Sequence, residues 1–156
     1  MRPNDMEETM FFKNISIIYR HSEILFQKYL GSMQLNNTEQ SILLYLKHND
    51  GVNQHAIARF FQFNKTTVAK TLSALEDMGL IKRETNCESK REKRVYLTEA
   101  GNEAVVVIKE SRRQLEEEVM AEFTEGEKAL FDELSERIAV KVWKLNQESD
   151  SLGRPS

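Results

Sequence analysis

Hydrophobic positions along the chain fall first into helical spacing and later into strand-like spacing. From about Asp5 to Leu30 there is neither Gly nor Pro, and Phe11, Ile15, Ile18, Leu25 and Tyr29 recur at the spacing of one helical face. The segment reads as a long first helix. Phe12, Tyr19 and Phe26 widen that face, while Met10, Ile17 and Ile24 repeat every seven residues on nearly the opposite side. A single small core covers one such surface, so the second is read as meeting a partner subunit, with a membrane or a client protein as the alternatives.

After Gly31, the segment Asn36-Asn37-Thr38-Glu39 supplies side-chain acceptors for exposed helix N–H groups, and Ile42, Leu43 and Leu46 give a short helix ending near Asn49-Asp50-Gly51. Asn53 caps a third helix carrying Ile57 and Phe60 or Phe61, which breaks at Gln62-Phe63-Asn64. A fourth helix starts at once, with Asn64 as cap, Val68, Leu72 and Leu75 inward, and Gly79 just beyond its end. Two short helices joined by a tight turn have the geometry of a helix-turn-helix.

From Leu80 the pattern changes. Leu80 to Thr85 and Lys93 to Thr98 are β-capable runs separated by the polar stretch Asn86 to Glu92, which predicts a β-hairpin with a basic tip. Thr98 and Glu99 open a long helix with Val105, Ile108, Leu115 and Val119, breaking near Phe123. Thr124 and Glu127 are spaced as a capping box for a last helix with Leu130, Phe131, Leu134, Ile138, Val142 and Leu145. The tail SDSLGRPS is expected to be disordered.

A chain of 156 residues fits one ordinary domain or a compact core with helical extensions, and 40% hydrophobic residues with only 6 Gly and 2 Pro favour a helical protein. No apolar run approaches the roughly 20 residues of a membrane span, and MRPNDMEETM lacks a signal-peptide core, so a cytoplasmic location is expected. The single cysteine, Cys87, excludes an internal disulfide framework and a thiolate-rich zinc site, and His21, His48 and His55 are too scattered for a metal. No metal and no cofactor are expected.

Net charge is −3, yet it is unevenly spread. Residues 51–98 carry nine Lys/Arg against five Asp/Glu, whereas residues 99–150 carry seven against fourteen. Fields fall off over about 8 Å at physiological salt, so a basic middle can hold a polyanion on an acidic protein. Mixed charge that merely solvates the surface is the competing explanation.

Three strings stand in order. They are Asn64-Lys65-Thr66-Thr67-Val68-Ala69-Lys70, then Leu75-Glu76-Asp77-Met78-Gly79-Leu80-Ile81-Lys82-Arg83, then Val95-Tyr96-Leu97-Thr98-Glu99-Ala100-Gly101. In order and spacing the chain resembles, over roughly residues 10–146, the MarR family of winged helix-turn-helix regulators. The resemblance implies a mainly α fold with a small β-hairpin wing, dimerising through N- and C-terminal helices. It divides the chain into an N-terminal helix at 1–35, a DNA-binding region at 36–98, dimerisation helices at 99–148 and the tail at 149–156. It also implies a homodimer that binds double-stranded DNA and regulates transcription. The wing departs from the family at one point, since Ser89 stands where relatives carry an Asp two residues before Arg91. A hydroxyl orients a guanidinium less firmly than a carboxylate does, and Glu88 is the neighbouring carboxylate.

A helix fits the major groove, where base edges display distinct donors and acceptors. Thr66, Thr67, Lys70 and Ser73 suit that role and Lys65 suits phosphate at the helix N-terminus. Lys90, Arg91, Lys93 and Arg94 would lie along the backbone and minor groove, Arg91 in the groove itself. Their alternative role is to prevent edge pairing of a small hairpin. A two-fold dimer would place two such helices one helical turn apart on a pseudo-palindromic operator. With no further domain for recruiting polymerase, repression is the expected outcome.

Other chemistry is sparse. Cys87 beside the wing tip is a candidate redox sensor, against the plainer reading of a lone thiol. Tyr and Phe residues of the first helix are either core or the lining of a pocket for an aromatic or anionic small-molecule effector. No Gly-rich phosphate loop and no Ser/His/Asp or Cys/His set occurs, so no catalytic residue and no enzyme activity are expected. The rival function is a winged-helix protein–protein interaction module without a DNA operator, disfavoured by the polar, Thr-rich helix face.

Overall fold

Three asparagines start three successive helices in the computed structural model, which describes residues 10–85 and 93–151. Asn36 Oδ1 accepts from Glu39 N at 3.0 Å while the Glu39 carboxylate accepts from Asn36 N at 2.8 Å, a reciprocal cap for α2 (Asn37–Leu46). Asn53 accepts from Ala56 N at 2.8 Å ahead of α3 (Gln54–Phe61), and Asn64 accepts from Thr67 N at 2.7 Å ahead of α4 (Lys65–Asp77). Each such cap contributes about 1 kcal/mol by satisfying an N–H that the helix leaves unpaired. Between α3 and α4 the chain turns through Gln62, whose φ of 57° makes it the one left-handed residue other than glycine among the described residues.

The first helix, α1 (Met10–Leu30), ends at Gly31 with φ 63°. Its two apolar faces are both confirmed as surfaces, but neither is core along most of its length. Only Phe26 and Leu30 are buried, and Met10, Phe11, Phe12, Ile15, Ile17, Ile18, Tyr19, Ile24 and Leu25 are exposed. The expectation that a small core covers one of the two surfaces holds only at Phe26 and Leu30, where the last turns of α1 meet the core. Residues 5–9, assigned to this helix from sequence, lie outside the described residues.

The core comes from the elements that follow. Leu35, Ile42, Leu43, Leu46, Ile57, Val68, Leu72, Leu75, Ile81, Val95, Ala104, Val105 and Ile108 are buried in one cluster. Full burial of each large aliphatic side chain contributes about 2 kcal/mol. Of the two phenylalanines considered for α3, Phe61 packs against this cluster while Phe60 is 56% exposed.

The hairpin is present and a third strand joins it. Strands β1 (Val52–Asn53), β2 (Ile81–Thr85) and β3 (Lys93–Leu97) form an antiparallel sheet in the order β1-β3-β2, with Val52 opposite Val95 and Arg83 opposite Val95 from the other side. Periodicity does not reveal a two-residue strand, and β1 was not anticipated. Gly79 turns the chain from α4 into β2 at φ 72°, and the Thr98 hydroxyl donates to its carbonyl at 2.7 Å. That hydroxyl also accepts from Gly101 N at 3.0 Å, which caps α5 (Glu99–Val119).

The chain divides into two compact units between Leu115 and Glu116. The second contains the end of α5 and α6 (Glu125–Ser151), opened by the expected capping box, in which Thr124 N donates to Glu127 Oε2 at 2.8 Å. Leu130, Phe131, Leu134, Val142, Trp143 and Leu145 are exposed along α6. The helix runs to Ser151, so the backbone of residues 149–151, assigned to a disordered tail, is helical, and 152–156 lie outside the described residues.

Candidate nucleic-acid interface

Helix α4 has one buried stripe and one open one. Val68, Leu72 and Leu75 are fully buried and Thr71 nearly so, which turns Lys65, Thr66 and Lys70 to solvent and leaves Thr67 half-buried. The Thr71 hydroxyl donates to Thr67 O at 2.9 Å, so it is spent within the helix. Gln54 Nε2 donates to Lys65 O at 3.2 Å, fixing the start of α4 against the start of α3. From Gly51 to Leu75 the sequence holds no Asp or Glu, while Arg59, Lys65 and Lys70 fall within it. That stretch of sequence is net positive on a chain whose net charge is negative, while Glu23 of α1 lines a cleft together with Thr67 and Lys70.

The far end of α4 is tied to the wing. Arg83 on β2 donates from Nε to Glu76 Oε2 at 2.9 Å, pairs a second time with the same oxygen through Nη2, and reaches Ser73 Oγ with Nη2 at 3.4 Å. The Arg83 hydrogen bond holds the Glu76 carboxyl below the usual carboxylate range, against the opposing effect of desolvation. Ser73, expected to face DNA, is thus half-buried and already engaged by Arg83. Sequence reasoning missed this cluster. The seven-residue separation of Glu76 and Arg83 carries no helical or strand period across the turn at Gly79.

On β3 the two adjacent basic residues differ. Lys93 is exposed. Arg94 is exposed too, but its Nη1 donates to Gly51 O at 3.1 Å. On β2, Lys82 pairs with Glu84 at 2.7 Å and lies 5.7 Å from the Tyr96 ring centre. The candidate wing-tip residues Lys90 and Arg91, with Cys87, Glu88 and Ser89, lie outside the described residues.

A cleft of about 380 Å³ opens beside the same helix, lined by Tyr19 and Glu23 of α1, Asn36, Asn37 and Thr38 at the start of α2, and Thr67, Lys70 and Thr71 of α4. Asn37 Nδ2 donates to the Tyr19 hydroxyl at 2.7 Å across it. Of the aromatic residues of α1 considered for an effector pocket, Tyr19 lines this cleft, whose other walls are polar rather than aromatic. Among the described residues no cluster of three or more His, Cys, Asp or Glu side chains is arranged to hold a metal ion, and no helix is long and apolar enough to cross a membrane.

This arrangement has counterparts among known proteins. The model of the MarR family matches residues 35–93. The HTH-type transcriptional regulator YwoH of Bacillus subtilis is 30% identical over 100 residues, covering 64% of this chain and 72% of the relative. Among solved structures, the crystal structure of MarR superposes with a TM-score of 0.81 at 30% identity, covering 88% of this chain and 94% of the other. The S. aureus MepR–DNA complex shares the fold with a TM-score of 0.71 at 21% identity, covering 87% of this chain and 99% of the other.

Proposed function

We propose, from the premise that this chain belongs to the MarR family of winged helix-turn-helix transcriptional regulators, that it represses transcription by binding a pseudo-palindromic operator as a homodimer. The observation that carries the reading is α4, capped at Asn64, buried along Val68, Leu72 and Leu75, and open along Lys65, Thr66 and Lys70 in an acid-free stretch of sequence. Thr66 and Thr67 meet base edges in the major groove, Lys70 meets guanine or phosphate, and Lys65 meets phosphate at the helix terminus. Arg91 enters the minor groove while Lys90 and Lys93 follow the backbone. Ser73 and Arg94, which have partners within the chain, position the helix and the wing. The two-faced α1 and the exposed apolar side chains of α6 support self-association, since patches of this extent are rarely left to water. MepR, which has the same fold, was crystallised with DNA. A small molecule seated beside Lys70 in the cleft would compete with DNA for that side chain and so release the operator.

Selection from a random duplex pool at two salt concentrations tests this. A salt-sensitive, enriched pseudo-palindrome, weakened by Thr67→Ala and by Arg91→Ala, is the expected result; retention of no DNA even at low salt contradicts it. The second reading is a protein-binding winged helix, favoured by the exposed Phe60 ring packed 4.5 Å from Tyr45 between centroids. It predicts loss of function on Phe60→Ser with none on Thr67→Ala.

A further inference from the structure

The regulator reading leaves open how the base-reading helix and the groove-reading wing are held in step. Each is small. Helix α4 has thirteen residues, strands β2 and β3 five each, and a Cβ at Gly79, between α4 and β2, would meet nothing within 4 Å. The backbone at that glycine is held at its root, with Gly79 N donating to Glu76 O at 2.9 Å, Leu80 N to Leu75 O at 2.9 Å and the Thr98 hydroxyl to Gly79 O at 2.7 Å, so any tilt of the wing relative to the helix falls to the strands beyond Leu80. A side-chain cluster braces those strands against the helix. Arg83 on β2 reaches back across Gly79 to Glu76 in the last turn of α4 with two donors, and to Ser73 one turn earlier. The pair is partly shielded, with the Arg83 side chain 21% exposed and that of Glu76 36%. Its geometry has one guanidinium addressing two positions on one helix face, which fixes direction as well as distance.

We infer that Arg83 and Glu76 form a clamp that sets the angle of the wing to α4, so that operator specificity in the bases beneath the wing depends on two residues that touch no DNA. This rests on the DNA-binding reading. Arg83 is a basic side chain at the root of the wing, and on charge alone it would be assigned to phosphate; its engagement by Glu76 removes it from that role. The clamp also makes an unusual demand on sign. Deleting a negative charge next to a polyanion site ordinarily tightens binding, whereas deleting the Glu76 carboxylate frees the wing and weakens it.

The test uses the full chain and two duplexes, the one most enriched by wild type and the same duplex with the base pairs outside the major-groove half-sites trimmed. Glu76→Gln and Arg83→Met are each expected to lower affinity about tenfold for the full duplex, the size of a coupled pair, and less than about twofold for the trimmed one. The exchange Glu76→Arg with Arg83→Glu should recover most of the loss. Neither single variant should change the slope of log affinity against log salt, whereas loss of a direct phosphate contact lowers that slope by about 0.9. Thermal unfolding of each variant verifies that it is folded, and Ser73→Ala, which removes only the longest contact, should give a smaller loss of the same kind. Unchanged or tighter binding by Glu76→Gln overturns the clamp, as does equal loss on both duplexes or a lowered salt slope for Arg83→Met. If wild type enriches no duplex, the DNA-binding reading fails and the clamp with it; the other adverse outcomes remove the clamp alone.

Discussion

Arg94 donates to the carbonyl oxygen of Gly51 at 3.1 Å, and Gly51 N donates to Val95 O at 2.9 Å, so the two residues lock β3 to the turn before α3. Lys93, one position earlier, pairs through its backbone with Thr85 and has no side-chain hydrogen bond among the described residues. Adjacent cations in one strand therefore carry different loads. Arg94→Ala should lower unfolding stability by about 1 kcal/mol, the usual worth of one hydrogen bond. Lys93→Ala should change stability by less than about 0.5 kcal/mol yet reduce the salt slope of DNA binding by about 0.9. Urea titration and binding at several salt concentrations separate the two.

Gly101 is the tightest glycine among the described residues. A Cβ there would stand 2.0 Å from the backbone oxygen of Leu80 and 3.2 Å from Leu97 Cδ2. Backbone cannot swing aside as a side chain can. Gly101→Ala should destabilise by about 3 kcal/mol, the upper range for overpacking, even though alanine is the better helix former. Thermal unfolding measures it, and an unchanged midpoint would contradict the packing described.

Acid should weaken the fold through Glu76. Its folded pKa lies below the ordinary carboxylate value because Arg83 hydrogen-bonds the charged form. In the interval between the depressed and the ordinary value, the unfolded chain binds more protons than the folded one, so stability rises with pH there. The contribution is fully present above the ordinary value and disappears as pH falls through the depressed one. NMR titration of the Glu76 carboxyl should show this low midpoint, and Arg83→Met should return it to the ordinary range.

Self-association should depend on apolar surface that the single chain leaves open. On α6, Leu134 and Ile138 lie four residues apart and are each exposed, and on α1 Ile17 and Ile24 are too. Sedimentation of wild type at micromolar concentration should give a dimer. Leu134→Asp and Ile24→Asp should each shift it toward monomer, because a carboxylate buried in an apolar contact is strongly disfavoured. A wild-type monomer would contradict the homodimer.

Helix starts and stops were legible in the sequence because their chemistry is local. Asn36, Asn53, Asn64 and Thr124 each cap the helix that follows within three residues, and the inward set Val68, Leu72 and Leu75 follows from period alone. Other features depend on where distant segments meet. The pairing of Val52 with Val95 spans most of the winged region, and the burial of α1 at Phe26 and Leu30 only reflects the size of a core that periodicity does not measure. The candidate site divides along the same line. Lys65, Thr66 and Lys70 are open, as their helix phase implies, while Ser73 and Arg94 are engaged by partners ten and forty-three residues away.

The turn between α3 and α4 is as short as its tasks allow. Gln62 closes one helix with a left-handed backbone, Asn64 caps the next, and Phe63 alone lies between. Its ring stacks on Phe61 at 5.2 Å, so even that residue is committed. No slack remains in which an inserted residue would be absorbed, and each added residue would rotate α4 by about 100° if the helix took it up. Point replacement on α4 thus leaves the placement of the helix intact, whereas a change of loop length does not. In a lineage of such proteins the geometry of docking would persist while the side chains that read the sequence drift.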